Sequence, residues 1–198
     1  DEMGAKRAVL DRLDGLIRPD ALLATTTNGL SVTALASGSR QPARVIGLHF
    51  LRPAHRMGLV EVVRTPHSAP DVVERAVELV QALGKTPLVL EDAPGWVVNR
   101  LATAYFGEAL HLLDGGTGLN EATVDKLMEA AGFPMGPFRL MDYLGVDTAL
   151  HIAETLYEAS FHTARYRPHP RQRRLVEAGR LGQKSPLGGF LPPEKRTS

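Results

Sequence analysis

The stretch "GLHFLRPAHRMGLVEVV", residues 47–63, decides the fold. Two apolar runs that are typical of buried strands flank a short polar connection, and each run contains one ionisable residue. His49 lies in the first run, and Glu61 lies in the second. An unpaired charge is costly to bury inside a β-forming segment, so each of these residues needs a partner.

The chemistry of these two residues depends on whether their strands are neighbours. A buried histidine taken alone is more often structural than catalytic, and Glu61 alone could simply neutralise a nearby arginine. If the strands are adjacent, the Glu61 carboxylate accepts a hydrogen bond from one N–H of the His49 imidazole and so fixes the tautomer of the ring. The other nitrogen is then available as a base. Such a pair suits removal of a proton from an alcohol while another group takes the hydride.

The pattern outside this stretch divides the chain near Pro94. Strands are predicted at 21–27, 44–51, 58–64 and 86–92, and they alternate with helices, which indicates an α/β layer with mostly parallel strands. Ser68 to Asp71 has the form of a helix-capping box. After residue 94 only helices are predicted, at about 97–113, 121–131, 137–142, 145–160 and 171–178.

Composition excludes several classes of protein. The 198 residues are 43% hydrophobic and 23% charged, a globular balance, and the absence of cysteine excludes disulfides and zinc–thiolate sites. No metal site and no membrane span are expected, and without a signal-peptide pattern the expected location is the cytoplasm. Residues 165–198 carry nine Lys/Arg against two Glu but only two aromatic residues, so nucleic-acid binding is not expected.

Glycine-rich and nucleophile motifs give little support to other enzyme classes. "GGTGLN" (115–120) lies between two predicted helices rather than after a strand, which is the wrong context for a dinucleotide-binding turn. It is better interpreted as a helix stop followed by Asn120 as the next N-cap. The chain has no Walker motif and no G-x-S-x-G elbow.

Four stretches, in order, resemble the L-3-hydroxyacyl-CoA dehydrogenases of fatty-acid β-oxidation. They are "RVIGLHFLRPAHRMGLVEVV" (44–63), "GKTPLVLEDAPGWVVNR" (84–100), "AGFPMGPFRLMDYLGVD" (131–147) and "RYRPHPRQRRLVEAGRLGQKSPLGGF" (165–190). The resemblance implies a partial Rossmann-like parallel sheet, residues 1–93, in an NAD-binding domain. It also implies an all-α C-terminal domain, residues 94–198, that forms a homodimer. The implied activity is NAD-dependent oxidation of a 3-hydroxyacyl-CoA substrate.

The resemblance also assigns roles to individual residues. His49 matches the histidine that removes the proton of the 3-hydroxyl, and Glu61 matches its carboxylate partner. Asn99 matches an asparagine that supports substrate and histidine. Lys6 and Lys184 match lysines that contact NAD.

Departures from the family pattern leave two other readings open. "TTTNGL" (25–30) replaces "SNTSSL", so Asn28 stands where a hydroxyl normally meets substrate and cofactor, and Arg52 replaces an asparagine and adds a charge beside the cofactor. The alternatives are a dehydrogenase of a free 3-hydroxy acid or sugar acid, and a non-catalytic member that serves assembly or binding. The family's glycine-rich NAD turn has no counterpart in these 198 residues, so this chain alone is expected to bind NAD weakly.

Overall fold

The computed structural model describes residues 2–18, 20–27 and 29–193. The chain forms two compact units, Asp1–Trp96 and Val97–Ser198. The elements of the first unit, in chain order, are α1 (Met3–Asp14), β1 (Leu23–Thr25), α2 (Val32–Ser37), β2 (Val45–Phe50), β3 (Leu59–Arg64), α3 (Pro70–Ala82) and β4 (Thr86–Glu91).

The four strands form one sheet in the order β1-β2-β3-β4. The pairs β1–β2 and β3–β4 are parallel, whereas β2 and β3 are antiparallel. Only residues 51–58 connect β2 to β3, and a parallel pair needs a crossover of a dozen or more residues. The predicted α/β class is therefore confirmed, with a mixed sheet that contains one antiparallel pair.

The two faces of the sheet bury different partners, because successive side chains of a strand point to opposite faces. One face packs against α3 and the other packs against α2. The buried residues against α3 are Ile46, Leu48, Val60, Val62, Val72, Ala76 and Val80. The buried residues of the opposite cluster are Leu23, Val32, Ala36, Val45, Val63 and Trp96.

Glycine is required at one position on the α2 side of the sheet. A Cβ atom added at Gly47 would lie 2.9 Å from Cβ of Val63 and 3.0 Å from a methyl group of Val32. Because Gly47 has no side chain, α2 can pack closely against the sheet at this position, two residues before His49.

The capping box predicted for residues 68–71 is wrong. The residue at the N-cap of α3 is Ala69, which makes no side-chain cap. The Ser68 hydroxyl instead donates to the carbonyl of Val45 at 3.1 Å and accepts from the amide of Thr65 at 2.9 Å. The Ser68 hydroxyl thus bonds to β2, and it does not cap α3 as the local sequence predicted.

The described part of the second unit contains helices and no strand. They are α4 (Val98–Asp114), α5 (Glu121–Ala130), α6 (Pro137–Leu144), α7 (Val146–Ala159) and α8 (Pro170–Glu177). Asn120 caps α5 as predicted, accepting from the amide of Thr123 at 2.9 Å. No helix among the described residues is both long and apolar enough to cross a bilayer.

Two buried carboxylates tie the helices of the second unit together. Asp125 accepts from the amides of Phe138 and Arg139 at 2.9 and 3.0 Å, and so caps α6 from another helix. Asp142 accepts from the amides of Phe190 and Leu191, both at 2.9 Å. Burial raises the pKa of each carboxyl group above its ordinary value, while these backbone donors act in the opposite direction.

Candidate active site

His49 and Glu61 meet across the antiparallel pair of strands. They are directly opposite in the register of β2 and β3, and such cross-strand partners project to the same face of a sheet. The Nδ1 atom of His49 lies 2.6 Å from Oε2 of Glu61. His49 is 6% exposed and Glu61 is fully buried, so this contact lies inside the protein.

This geometry leaves one imidazole nitrogen available. An ionised carboxylate can only accept hydrogen bonds, so Nδ1 of His49 carries the ring proton and donates a hydrogen bond to Glu61. The Nε2 atom then keeps its lone pair, and the ring can take up a proton there. The arrangement is that of a base and the group that orients it.

Trp96 and Asp92 belong to the same site, although sequence reasoning did not select them. The Trp96 ring lies 5.2 Å from the His49 ring, centroid to centroid, with 51° between the ring planes. The indole N–H donates to Oδ1 of Asp92 at 3.2 Å. The only tryptophan of the chain, placed in a glycine-containing loop after the last strand, was the signal that could have pointed to this contact.

The loop before α2 contains one of the predicted site residues. Asn28 lies outside the described residues. On its N-terminal side, the hydroxyl of the buried Thr27 accepts from the amide of Leu30 at 3.0 Å. The next turn begins at Ser31, which caps α2 by accepting from the amide of Ala34 at 3.0 Å.

A cavity of about 440 Å³ lies between α1 and the carboxyl end of β1. Lys6, Thr25 and Thr26 are among its lining residues, and the Lys6 ammonium donates to the Thr25 hydroxyl at 3.3 Å. Nucleotide cofactors bind outside the carboxyl ends of parallel strands, and β1 is parallel to β2. The lining is otherwise mostly apolar and includes Glu2, so Lys6 and the two threonine hydroxyls are the groups here that fit a polar, anionic dinucleotide.

Arg52 lies in the connection that follows β2, three residues after His49, and its side chain is exposed. Lys85, the residue before β4, holds this connection in place, because its ammonium donates to the carbonyls of Ala54 and Met57 at 2.7 and 2.8 Å. The exposed guanidinium can therefore be presented on an ordered loop.

Asn99 and Lys184 belong to the second unit. Asn99 lies in the first turn of α4 and is 8% exposed. The Lys184 ammonium lies 2.5 Å from Oδ1 of Asp147 and donates to the Thr148 hydroxyl at 3.4 Å. In the structure this lysine is thus paired with a carboxylate of its own unit.

The described residues contain no cluster of three or more His, Asp or Glu side chains that could hold a metal ion. The site is instead a paired base on a mixed sheet, with a cavity at the carboxyl end of a parallel strand. This combination defines the class as an α/β protein whose layout fits a nucleotide-dependent enzyme.

Comparison with known families makes the class specific. Residues 1–93 match the family described as 3-hydroxyacyl-CoA dehydrogenase, NAD binding domain, and residues 95–190 match the family's C-terminal domain. The chain belongs to the 3-hydroxyacyl-CoA dehydrogenase family. The family resemblance predicted from the sequence is confirmed, and NAD is the cofactor of its first domain.

Individual relatives agree with this assignment. The fatty acid oxidation complex subunit alpha of Psychrobacter arcticus is 42% identical over 93% of this chain and 26% of its own length. The 3-hydroxyadipyl-CoA dehydrogenase of Escherichia coli is 39% identical over 96% of this chain and 40% of its own length. The crystal structure of FadB2 from M. tuberculosis has a TM-score of 0.91 and 37% identity, covering 98% of this chain and 68% of that one.

The chain spans about a quarter of the first of these relatives and two fifths of the second. What the whole protein does is therefore a proposal.

Proposed function

We propose that the protein containing this chain oxidises L-3-hydroxyacyl-CoA to 3-ketoacyl-CoA with NAD. The observation that carries the proposal is the buried His49–Glu61 pair, located in the part of the chain that matches the family's NAD-binding domain. Relatives that match nearly the whole chain bear the names fatty acid oxidation complex subunit alpha and 3-hydroxyadipyl-CoA dehydrogenase, which supports an acyl-CoA substrate.

His49 acts as the general base in this proposal. Its Nε2 atom removes the proton of the substrate's 3-hydroxyl while the C3–H bond breaks, and Glu61 holds the ring in the tautomer that allows this. NAD, when bound, supplies the acceptor for the hydride that leaves C3. A positioned general base of this kind contributes on the order of 10²–10⁴-fold in rate.

The other predicted residues have supporting roles in the proposal. Lys6 holds the cofactor, which its position in the cavity beside β1 supports. Asn28 and Arg52 contact the cofactor, and Asn28 also takes part in catalysis, as the resemblance implies. Asn99 supports substrate and base, and Lys184 contacts NAD after exchanging its present carboxylate partner for the cofactor.

We propose a homodimer formed through the second unit. Leu101 and Leu112 of α4 are 67% and 45% exposed, and residues eleven apart lie on the same side of a helix of 3.6 residues per turn. Leu127 and Phe133 add further exposed apolar surface in this unit. In the proposed dimer a second copy of the chain would cover the apolar side chains of α4. Sedimentation at micromolar concentration should give a dimer, and a monomer would contradict the proposal.

The proposed setting is the cytoplasm. The chain has no cysteine, so nothing in its chemistry depends on an oxidising compartment. Fractionation of cells that express the whole protein tests this location.

The test of function is the formation of NADH from L-3-hydroxyacyl-CoA substrates of short and medium chain length. It is applied both to the 198-residue chain and to the whole protein that contains it. Acyl-CoA-dependent NADH formation by the whole protein is expected. Complete inactivity of that protein on every chain length would contradict the proposal.

One observation favours a second substrate class, a free 3-hydroxy acid. The exposed guanidinium of Arg52, on the loop after the catalytic strand, could bind a carboxylate. Turnover of a hydroxyacyl-CoA compared with its free acid separates the two, and we expect the thioester to be preferred. A purely non-catalytic role is disfavoured, because a protein freed from catalysis has little reason to keep a buried carboxylate paired with a histidine.

A further inference from the structure

The ring of His49 has a second neighbour besides Glu61, and that neighbour is itself tied down. Trp96 is 5% exposed and its ring contacts the His49 ring at 5.2 Å, within the usual range for aromatic pairs. Glu61 holds the edge of the imidazole at Nδ1, and a single hydrogen bond allows the ring to pivot about it. The tilted contact with the indole restricts that motion.

The backbone of Trp96 adopts an unusual conformation to make this contact. Its φ is +45°, in the left-handed region that bulky side chains rarely enter, and it follows Gly95 with φ +70°. Strained residues of this kind persist only where the surroundings hold them, and they concentrate at functional sites. Something in the first unit must therefore hold the indole in place.

Asp92 is the residue that does so. Its Oδ1 accepts from the indole N–H at 3.2 Å, and its Oδ2 accepts from the Ser31 hydroxyl at 2.9 Å and from the Thr33 amide at 2.7 Å. One carboxylate thus joins the loop after β4 to the first turn of α2, the helix that follows the loop containing residue 28. Both oxygens of Asp92 therefore accept hydrogen bonds, and all three partners are donors.

We infer that Trp96, anchored by Asp92, is a positioning residue that sets the orientation of the His49 ring for proton transfer. The effect on proton transfer rests on the proposed function. The orientation of the His49 ring rests on the contacts within the first unit. Neither residue touches the reacting atoms in this account, and both act through His49. Misplacing a reacting group by about an ångström can reduce the rate by roughly 100-fold, so a loosened imidazole should be costly.

Three variants separate this role from a merely structural one. Asp92→Asn places an amide N–H₂ against the donors of Ser31 or Trp96 and should release the indole. Trp96→Leu removes the ring but leaves the Asp92 contacts with α2, whereas Trp96→Phe keeps a smaller ring beside His49 and loses the N–H from which Asp92 accepts. Asp71→Asn, on the exposed surface of α3, makes the same change of charge away from the site and is the control.

The first readout is the NMR resonance of the His49 ring protons, measured without ligand and assigned with His49→Asn. The ring current of Trp96 should displace this resonance in the wild type. Trp96→Leu gives the position of this resonance without the ring current, Asp92→Asn should move it toward that position because the indole is released, and Asp71→Asn should not move it. A His49 resonance that stays at its wild-type position in Asp92→Asn would overturn the inference, whatever the activity of the protein.

The second readout is steady-state kinetics of the whole protein. Asp92→Asn and Trp96→Leu should lower kcat by roughly 10- to 100-fold with little change in KM, and Trp96→Phe, which keeps a ring that Asp92 no longer holds, should give a kcat between those of the wild type and Trp96→Leu. Wild-type kcat in both of the first two variants would overturn the inference while leaving the proposed function intact. An inactive wild type would overturn the proposed function, and the NMR measurement would then decide the positioning claim on its own.

Discussion

His49 and Glu61 stand opposite each other on antiparallel strands, and Nδ1 of one lies 2.6 Å from Oε2 of the other. Both side chains are carried by regular strands rather than by loops, and β3 is itself flanked on its other side by β4. Sites built on strands are held more precisely than sites on loops. The backbone pairing of the sheet therefore sets the alignment of the base with its carboxylate.

Replacement of Glu61 by glutamine tests the role of that carboxylate. An amide N–H₂ facing Nδ1 would force Nδ1 to accept, which moves the proton to Nε2 and disables the base. We expect kcat to fall on the order of 10²–10⁴-fold with KM little changed, as when a triad carboxylate is replaced by its amide. The free energy of unfolding should change little, because the amide fills the same volume and removes a buried charge.

The control for this change is Glu78→Gln, on the exposed face of α3. It should leave both kcat and stability at their wild-type values. If Glu61→Gln retained full kcat, Glu61 would be a structural neighbour of His49 and not the group that orients it.

Asp142 should be among the most important side chains for the stability of the second unit. It is 5% exposed and accepts two backbone N–H groups, and an amide in its place would set a donor against a donor. Asp142→Asn should lower the free energy of unfolding by about 1–3 kcal/mol, the usual cost of an unsatisfied buried group. Urea denaturation measures the change, with Glu78→Gln again as the surface variant. Equal midpoints for the two variants would disprove the assignment.

Stability should decline on acidification because of His169. Its Nδ1 accepts from the amide of Arg171 at 3.3 Å, and its Nε2 donates to Asp114 at 2.9 Å, an arrangement that needs the neutral ring. Burial lowers the pKa of His169 from its ordinary value of 6.5, against the opposing effect of Asp114. Below pH 6.5 His169 is protonated more readily in the unfolded chain than in the folded chain. The contribution of His169 to the free energy of unfolding is therefore complete above pH 6.5 and is lost progressively below it.

Urea midpoints between about pH 7.5 and 5.5 measure this effect, because histidine changes charge in that interval. His169→Asn keeps a residue that can cap α8 and should flatten the dependence. His162→Asn, an exposed histidine paired with Glu158, should leave the slope unchanged. A slope that is identical in wild type and His169→Asn would show that another group controls the acid sensitivity.

The sequence suggested the pairing of His49 with Glu61, on the condition that their strands are neighbours, because burial makes an isolated charge costly. Two ionisable residues inside apolar strand-like runs, separated by a short connection, have few partners besides each other. The same short connection explains why β2 and β3 are antiparallel, although the alternation of strands and helices favoured parallel neighbours.

The contacts of Asp92 and Trp96 could not be predicted in this way. Asp92 and Ser31 are 61 positions apart, and neither lies in a periodic pattern that would mark it. The same limit applies to Ser68, whose hydroxyl bonds to Val45 rather than to its own helix. Local rules identify which groups need partners, and the tertiary fold decides which partners they receive.

The measurement that tests the central claim most directly is the single-turnover rate of NADH formation from an L-3-hydroxyacyl-CoA, in wild type and in His49→Asn. The asparagine Nδ2 takes the position of the histidine Nδ1 and can still donate to Glu61, so the buried carboxylate keeps its partner while the base is lost. We predict a fall on the order of 10²–10⁴-fold in the rate of the chemical step, with the Tm preserved. A stable His49→Asn variant that forms NADH at the wild-type rate would show that the proton is removed by another group.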